Sequence, residues 1–163
     1  MKLYSLIISM FFVSIVVGQK TFIDTGRPKP VLERNAQDIV GKDFKVSYEY
    51  VAYNNTDKQL DSINKINSAT KARMDKKCKD DWEGDLKTAI FRETSNLEAM
   101  TKVLIELKMI SPDDFVYYVR KGKKGKYVAY VYGNIEPENR KNVYPQKILK
   151  IKKDVNKYDV KEK

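Results

Sequence analysis

The chain has no histidine and only one cysteine in 163 residues. Without His there is no Ser-His or Cys-His nucleophile system and no His-based zinc site. A single Cys rules out an intramolecular disulfide framework and any cysteine-cluster metal site. Seven Gly and five Pro are too few for a fibrous or low-complexity chain. What is present is 42% hydrophobic and 11% aromatic, enough for a real core, which argues against wholesale disorder. The length alone leads one to expect a single compact domain.

Residues 1–18 read MKLYSLIISMFFVSIVVG. Lys2 forms a short positive head, and residues 3–17 are mostly apolar. Val16 and Gly18 are small enough for the −3 and −1 positions of a cleavage site, with Gln19 starting the mature chain. The apolar run is shorter than the ~20 residues of a spanning helix, and Ser5, Ser9 and Ser14 interrupt it. A cleaved secretory signal peptide is therefore expected, with a secreted or periplasmic product and no transmembrane segment after its removal.

Along the rest of the chain the periodicity changes twice. Residues 19–32 carry Gly26, Pro28 and Pro30 among charges and read as an extended arm. Ala36, Ile39 and Val40 have helical spacing, so a short helix is expected near 33–41. Residues 44–53 then alternate, with Phe44, Val46, Tyr48 and Tyr50 on one face of a strand. Thr56 and Gln59 have the spacing of a capping box. Leu60, Ile63, Ile66, Thr70, Met74 and Cys78 follow as one helical stripe. Asp80, Asp81 and Gly84 interrupt this pattern. A second amphipathic helix then runs to about Met109, with Leu86, Ala89, Ile90, Leu97, Met100, Val103, Leu104 and Leu107 along one side.

The final third reads as strands. Residues 115–119 and 127–132 flank the glycine-containing connector 121–126, which predicts a hairpin. Residues 147–152 add a third strand, and 156–163 form a charged tail expected to fray. The expectation is an α+β fold. An N-terminal strand precedes two long amphipathic helices, and an antiparallel hairpin or meander then packs on the helices. Residues 33–155 would form a single α+β domain.

Charge is strongly uneven. The chain holds 32 Lys and Arg against 22 Asp and Glu, net +10. Residues 19–119 are neutral, whereas residues 120–163 hold 14 basic and 5 acidic side chains. Arg120, Lys121, Lys123, Lys124 and Lys126 crowd one loop beside Tyr127, with Tyr117, Tyr118, Tyr130 and Tyr132 close by. Cations interleaved with aromatics suit an anionic partner, and these six residues are the candidate anion-binding site. The competing explanation is a solvated hairpin, in which Lys guards a sheet edge and Tyr favours strands. Export argues against nucleic acid and points to an anionic glycan, a lipid headgroup or an acidic protein.

Other chemistry is sparse. Asp80, Asp81, Glu83 and Asp85 lack the ligand register and glycine position of a calcium loop, and they suit a helix N-terminus instead. Cys78 on the apolar stripe reads as a buried small hydrophobe, and Trp82 as core. Asn54-Asn55-Thr56 is a glycosylation sequon, meaningful only in a eukaryotic secretory route. No catalytic residue, cofactor or metal is indicated.

Two resemblances bear on origin. The leader ending Val-Val-Gly-Gln-Lys, the run Asn35-Ala36-Gln37-Asp38-Ile39-Val40, Asp61-Ser62-Ile63-Asn64-Lys65 and Lys76-Lys77-Cys78-Lys79-Asp80-Asp81-Trp82 are similar to small uncharacterised exported proteins of Bacteroidota. Those relatives carry Gly-Cys where this chain has Tyr53-Asn54. The run Leu107-Lys108-Met109-Ile110 before Pro112 resembles gastropod sperm lysins and their acrosomal paralogues, which are secreted, basic and helical throughout.

The main expectation is an exported, non-enzymatic binding or envelope-associated protein that uses the basic hairpin. One alternative is a secreted gamete-recognition or membrane-active protein of the lysin type. The other is a hydrolase of an envelope polymer acting through Asp or Glu.

Overall fold

The computed structural model describes residues 20–25, 29–51, 55–78, 81–122, 125–134, 144–154 and 157–163. The leader and the turn residues Lys123 and Lys124 lie outside these segments. In chain order the elements are β1 (Thr21–Thr25), α1 (Val31–Phe44), β2 (Ser47–Val51), α2 (Asp57–Asp75), α3 (Trp82–Glu106), β3 (Val116–Arg120), β4 (Lys126–Val131), β5 (Lys147–Asp154) and β6 (Lys157–Glu162). The fold is α+β, with N-terminal strands, then helices, then a four-stranded antiparallel sheet packed on helices. The chain forms two compact units. One joins the β1 segment to Val40–Thr88, and the other joins Lys29–Ile39 to Ala89–Lys163.

In the first unit β1 and β2 pair in parallel, with Phe22 opposite Tyr48. Parallel neighbours need a crossover connection, and α1 lies between the two strands in the chain. The end of α1 is a Schellman turn. The Val46 N–H donates to the Gly41 carbonyl at 2.8 Å and the Lys45 N–H to that of Lys42 at 3.4 Å, with Lys45 at φ 56°. A Cβ at position 41 would lie 2.7 Å from the Val46 carbonyl oxygen, so the returning chain requires glycine there. This turn shortens the expected strand. Phe44 closes the helix, and pairing starts only at Ser47.

Helix α2 begins with the anticipated capping box. The Gln59 N–H donates to the Thr56 hydroxyl, and the Thr56 N–H donates to the Gln59 carboxamide at 2.8 Å. Its buried residues are Ile63, Thr70 and Met74, while Leu60 is exposed. On its flank, Asn67 accepts the Ile23 N–H at 2.7 Å and donates to the Ile23 carbonyl at 2.9 Å. Thr70 donates to the Thr21 carbonyl at 2.8 Å. Strand β1, part of the expected arm, is thus held by β2 on one edge and by side chains of α2 on the other. Phe22 stacks between Tyr48 and Trp82, at centroid distances of 6.0 and 6.2 Å. The Trp82 indole donates to Asp75 at 2.8 Å.

In the second unit β3 to β6 form a meander in chain order, each pair antiparallel. Its inner face presents Val116, Tyr118, Tyr127, Ala129, Val131, Leu149 and Ile151 to Leu97, Met100 and Leu104 of α3 and to Ala36 and Ile39 of α1. The tail expected to fray is strand β6, with Val160 opposite Ile151. It alternates Tyr158 and Val160, which pack against the core, with exposed Lys157, Asp159 and Lys161. That period lets a charged segment complete a sheet.

Strand β3 is an edge, and Tyr118 turns its backbone groups away from β4. The Lys121 N–H to Lys126 carbonyl bond and the bonds joining Phe115 to Tyr132 and Gly133 set the phase of the ladder. Asn35 of α1 fills the vacancy. Its carbonyl accepts the Tyr118 N–H at 2.6 Å and its amide donates to the Tyr118 carbonyl at 2.7 Å, both buried. The Tyr118 phenol is within 2.8 Å of the Thr101 hydroxyl, which itself donates to the Leu97 carbonyl at 2.8 Å. Tyr118 must therefore be the donor of the pair. Helix α3 ends at Glu106 in a second Schellman turn around Lys108 at φ 56°, which leaves Leu107, the last residue of the expected stripe, exposed rather than packed. No described helix is long and apolar enough to cross a membrane.

Two measurements test this packing. Asn35→Ala strands one buried donor and one buried acceptor, so chemical denaturation is expected to show a loss of roughly 2–4 kcal/mol. Burial pushes the Tyr118 phenol up to about 12, which means the folded state retains a proton that the unfolded chain releases from about pH 10. Stability is then complete below about pH 10 and falls by up to ~1.4 kcal/mol per pH unit towards pH 12. Melting curves of Tyr118→Phe are expected to show a shallower alkaline decline than the parent.

Candidate anion-binding face

The period of two along each strand sorts the basic C-terminal segment onto two faces. Arg120 and Tyr127 are cross-strand partners on the inner side. Tyr127 is buried and donates its hydroxyl to Glu93 Oε1 at 3.0 Å. Arg120 Nη1 lies 3.8 Å from Glu93 Oε2, with side-chain exposures of 24% for Arg120 and 7% for Glu93. A carboxylate that deep in the structure requires a cation and a hydrogen-bond donor, and these two residues supply them. Burial, and after it the charge of Glu93, raises the Tyr127 phenol above its ordinary range. Two of the six residues anticipated as an anion site thus bind an internal anion.

Lys121 and Lys126 are exposed at the closed end of the hairpin, whose turn glycines Gly122 and Gly125 have positive φ. Lys123 and Lys124 lie outside the described residues. The structure adds three lysines that the loop-centred reading missed. Lys150 stands opposite Val128 on one side and Lys161 on the other, and Lys152 stands opposite Lys126 and Asp159. All five described lysines, 121, 126, 150, 152 and 161, are exposed. Together with Val128 and Asp159 they line a shallow groove of about 280 Å3 on the outer face. Among the described residues none of the five is in an ion pair within 4.0 Å. The alternation in residues 147–152 already separates Lys150 and Lys152 from Leu149 and Ile151. Only the pairing with β6 brings in Lys161.

The other lysines of β5 are engaged on the inner side. Lys153 donates to Asn96 at 2.6 Å and Lys147 to the Met109 carbonyl at 3.3 Å. The tyrosines divide in the same way. Tyr118 and Tyr127 are core, while Tyr117 and Tyr130 pair across the outer face beside Ile148. The Tyr117 hydroxyl donates to Asp38 at 2.9 Å. The outer face therefore carries an aromatic row, Tyr117–Tyr130–Ile148, next to two rows rich in lysine.

The acidic segment at the start of α3 has a structural use. Glu83 meets Lys71 at 2.8 Å and Lys87 at 3.1 Å, and hydrogen bonds from these lysines hold its carboxyl below the usual range. A Cβ on Gly84 would lie 2.6 Å from Asp81 Oδ1, so glycine makes room for that carboxylate at the start of the helix. Asp80 lies outside the described residues. No group of three or more His, Cys, Asp or Glu among the described residues is arranged to hold a metal ion. Cys78 is half-buried rather than core. It follows the last turn of α2 and borders an open cleft of about 750 Å3 with Lys20, Lys45 and Lys77.

Glu93→Ala takes away the carboxylate that Arg120 and Tyr127 share, and a loss of about 2–4 kcal/mol is expected in denaturant titrations. Glu93→Gln, which keeps an acceptor for Tyr127, is expected to lose less.

No protein-family model, curated protein or solved structure matches this chain.

Proposed function

We propose that this chain is an exported, non-enzymatic binding or envelope-associated protein that holds an anionic partner on the outer face of its C-terminal sheet. The observation that carries the proposal is the set of five exposed lysines on that face, none of them ion-paired among the described residues. The charge distribution supports it, since residues 120–163 hold 14 basic and 5 acidic side chains while residues 19–119 are neutral. The leader-like segment supports export. Opposite charges on such a surface speed encounter and orient the partner.

The site in this proposal differs from a hairpin-tip site. Arg120 and Tyr127 hold the sheet to α3 through Glu93, while Lys121 and Lys126 join lysines from β5 and β6. The working surface is a face spanning three strands rather than a loop.

The test compares two variants of equal net charge on polyanionic resin and anionic vesicles. In one, Lys126, Lys150, Lys152 and Lys161 are changed to Glu. In the other, the exposed lysines Lys58, Lys65 and Lys102 of the helices and Lys76 at the end of α2 are changed to Glu. The sheet variant is expected to elute at much lower salt than the helix variant and to leave the vesicles. Equal behaviour of the two would mean that only net charge matters and would remove this face from consideration.

A further inference from the structure

The make-up of the outer face narrows the class of anion. We infer that its occupant is a linear anionic polysaccharide carrying sulfate or carboxylate groups on successive sugars, laid along the lysine rows with a sugar ring against Tyr130. This inference rests on the reading of the face as an anion site.

Among the described residues the cations of the face are all ammonium groups, because Arg120 is turned inward to Glu93. A guanidinium fork selects a fixed, planar pair of oxygens, as on an isolated phosphate. Lysines on flexible stems accept anionic groups at varied positions, which suits a polymer. Their placement is also repetitive. Lys150 and Lys152 are two residues apart on β5, roughly 7 Å, and Lys126 and Lys161 lie one strand away on either side, roughly 5 Å. A single small anion engages one or two such positions, whereas a chain charged at each repeat engages the whole array.

Two further features favour sugar over a membrane or a nucleic acid. Asp159 stands in the same row as Lys152 and Lys126 and lines the groove. A dense phosphate surface meets repulsion at that carboxylate, while sugar hydroxyls donate hydrogen bonds to it. Tyr130 neighbours the lysine rows and offers a ring with a polar edge, a surface that stacks on a sugar. A membrane-binding face needs apolar side chains that enter the acyl boundary. Among the described residues the exposed large hydrophobics are Tyr50, Leu60, Phe91, Leu107 and Tyr144, none of them in strands β3 to β6, and the face's own Val128 and Ile148 are half-buried.

The experiment titrates the full chain with heparin di-, hexa- and decasaccharides, with phosphatidylserine vesicles and with a single-stranded oligonucleotide of matched charge. Affinity is expected to rise at least about tenfold from disaccharide to hexasaccharide as more of the array is engaged. The double change Lys150→Gln and Lys152→Gln is expected to weaken hexasaccharide binding about tenfold or more and to lower the salt slope by about two. Tyr130→Val is expected to weaken binding roughly threefold with the slope unchanged. Tyr130→Phe, which keeps ring and strand, should bind like the parent. Thermal melts establish that each variant is folded, and if Tyr130→Val is not, the lysine pair and the length series decide.

Tighter binding of vesicles or oligonucleotide than of the hexasaccharide overturns the polysaccharide assignment and leaves the anion site standing. No length dependence overturns it as well. Binding to none of the probes overturns both.

Discussion

The alternation of side chains across the C-terminal sheet is the constraint on which the rest depends. A strand sends neighbouring residues to opposite faces, so each residue of β3 to β6 belongs either to the core or to the outer surface. The even positions of β3 and the odd positions of β4 and β5 face α3. They carry Tyr118, Tyr127, Leu149 and Ile151, and also Arg120 and Lys153. A basic sequence is thereby divided into cations that hold the sheet to its helix and cations that face solvent. A slip of one residue in register would exchange the two sets, burying Lys150 and Lys152 and exposing the core. The Glu93 carboxylate opposes such a slip, because it is satisfied only when Arg120 and Tyr127 point inward together.

The edges of the strands are treated alike in both units. A strand with an open side presents unpaired N–H and C=O groups, which invite association with another chain. Here a single asparagine carboxamide, projected from a helix, meets both groups of one residue. Asn67 does this for Ile23 and Asn35 for Tyr118. An amide is the one neutral side-chain group that donates and accepts in the geometry of a neighbouring strand. Each helix is thus tied to a sheet by directional bonds as well as by apolar contact. The far edge, β6, is protected differently, by exposed Lys157, Asp159 and Lys161.

Much of this was legible in the sequence, for reasons that can be named. The capping box at Thr56 and Gln59 is local, and so are the apolar stripe of α3 and the Gly122–Gly125 connector. Each depends on residues within a few positions of one another. Positions 44–53 misled because the Phe44 to Tyr50 alternation runs through a helix end. The Schellman turn at Lys45 leaves no mark in the period and has no glycine at its left-handed position. Likewise, Gly26, Pro28 and Pro30 after β1 and the charge in β6 concealed two strands that are stable only because partners lie beside them.

The sequence alone determined the α+β class, the order of most elements, the absence of histidine and disulfide chemistry, and the concentration of positive charge after residue 120. All of these follow from composition and short-range period. Tertiary structure alone decided which charges work together. Glu93 and Arg120 are 27 residues apart in the chain, Lys126 and Lys161 are 35 apart, and no local pattern joins them. The physical reason is that pairing register and burial, not sequence proximity, set whether a lysine or arginine meets a carboxylate or solvent. The candidate site therefore moved from a hairpin tip to a face built by three strands.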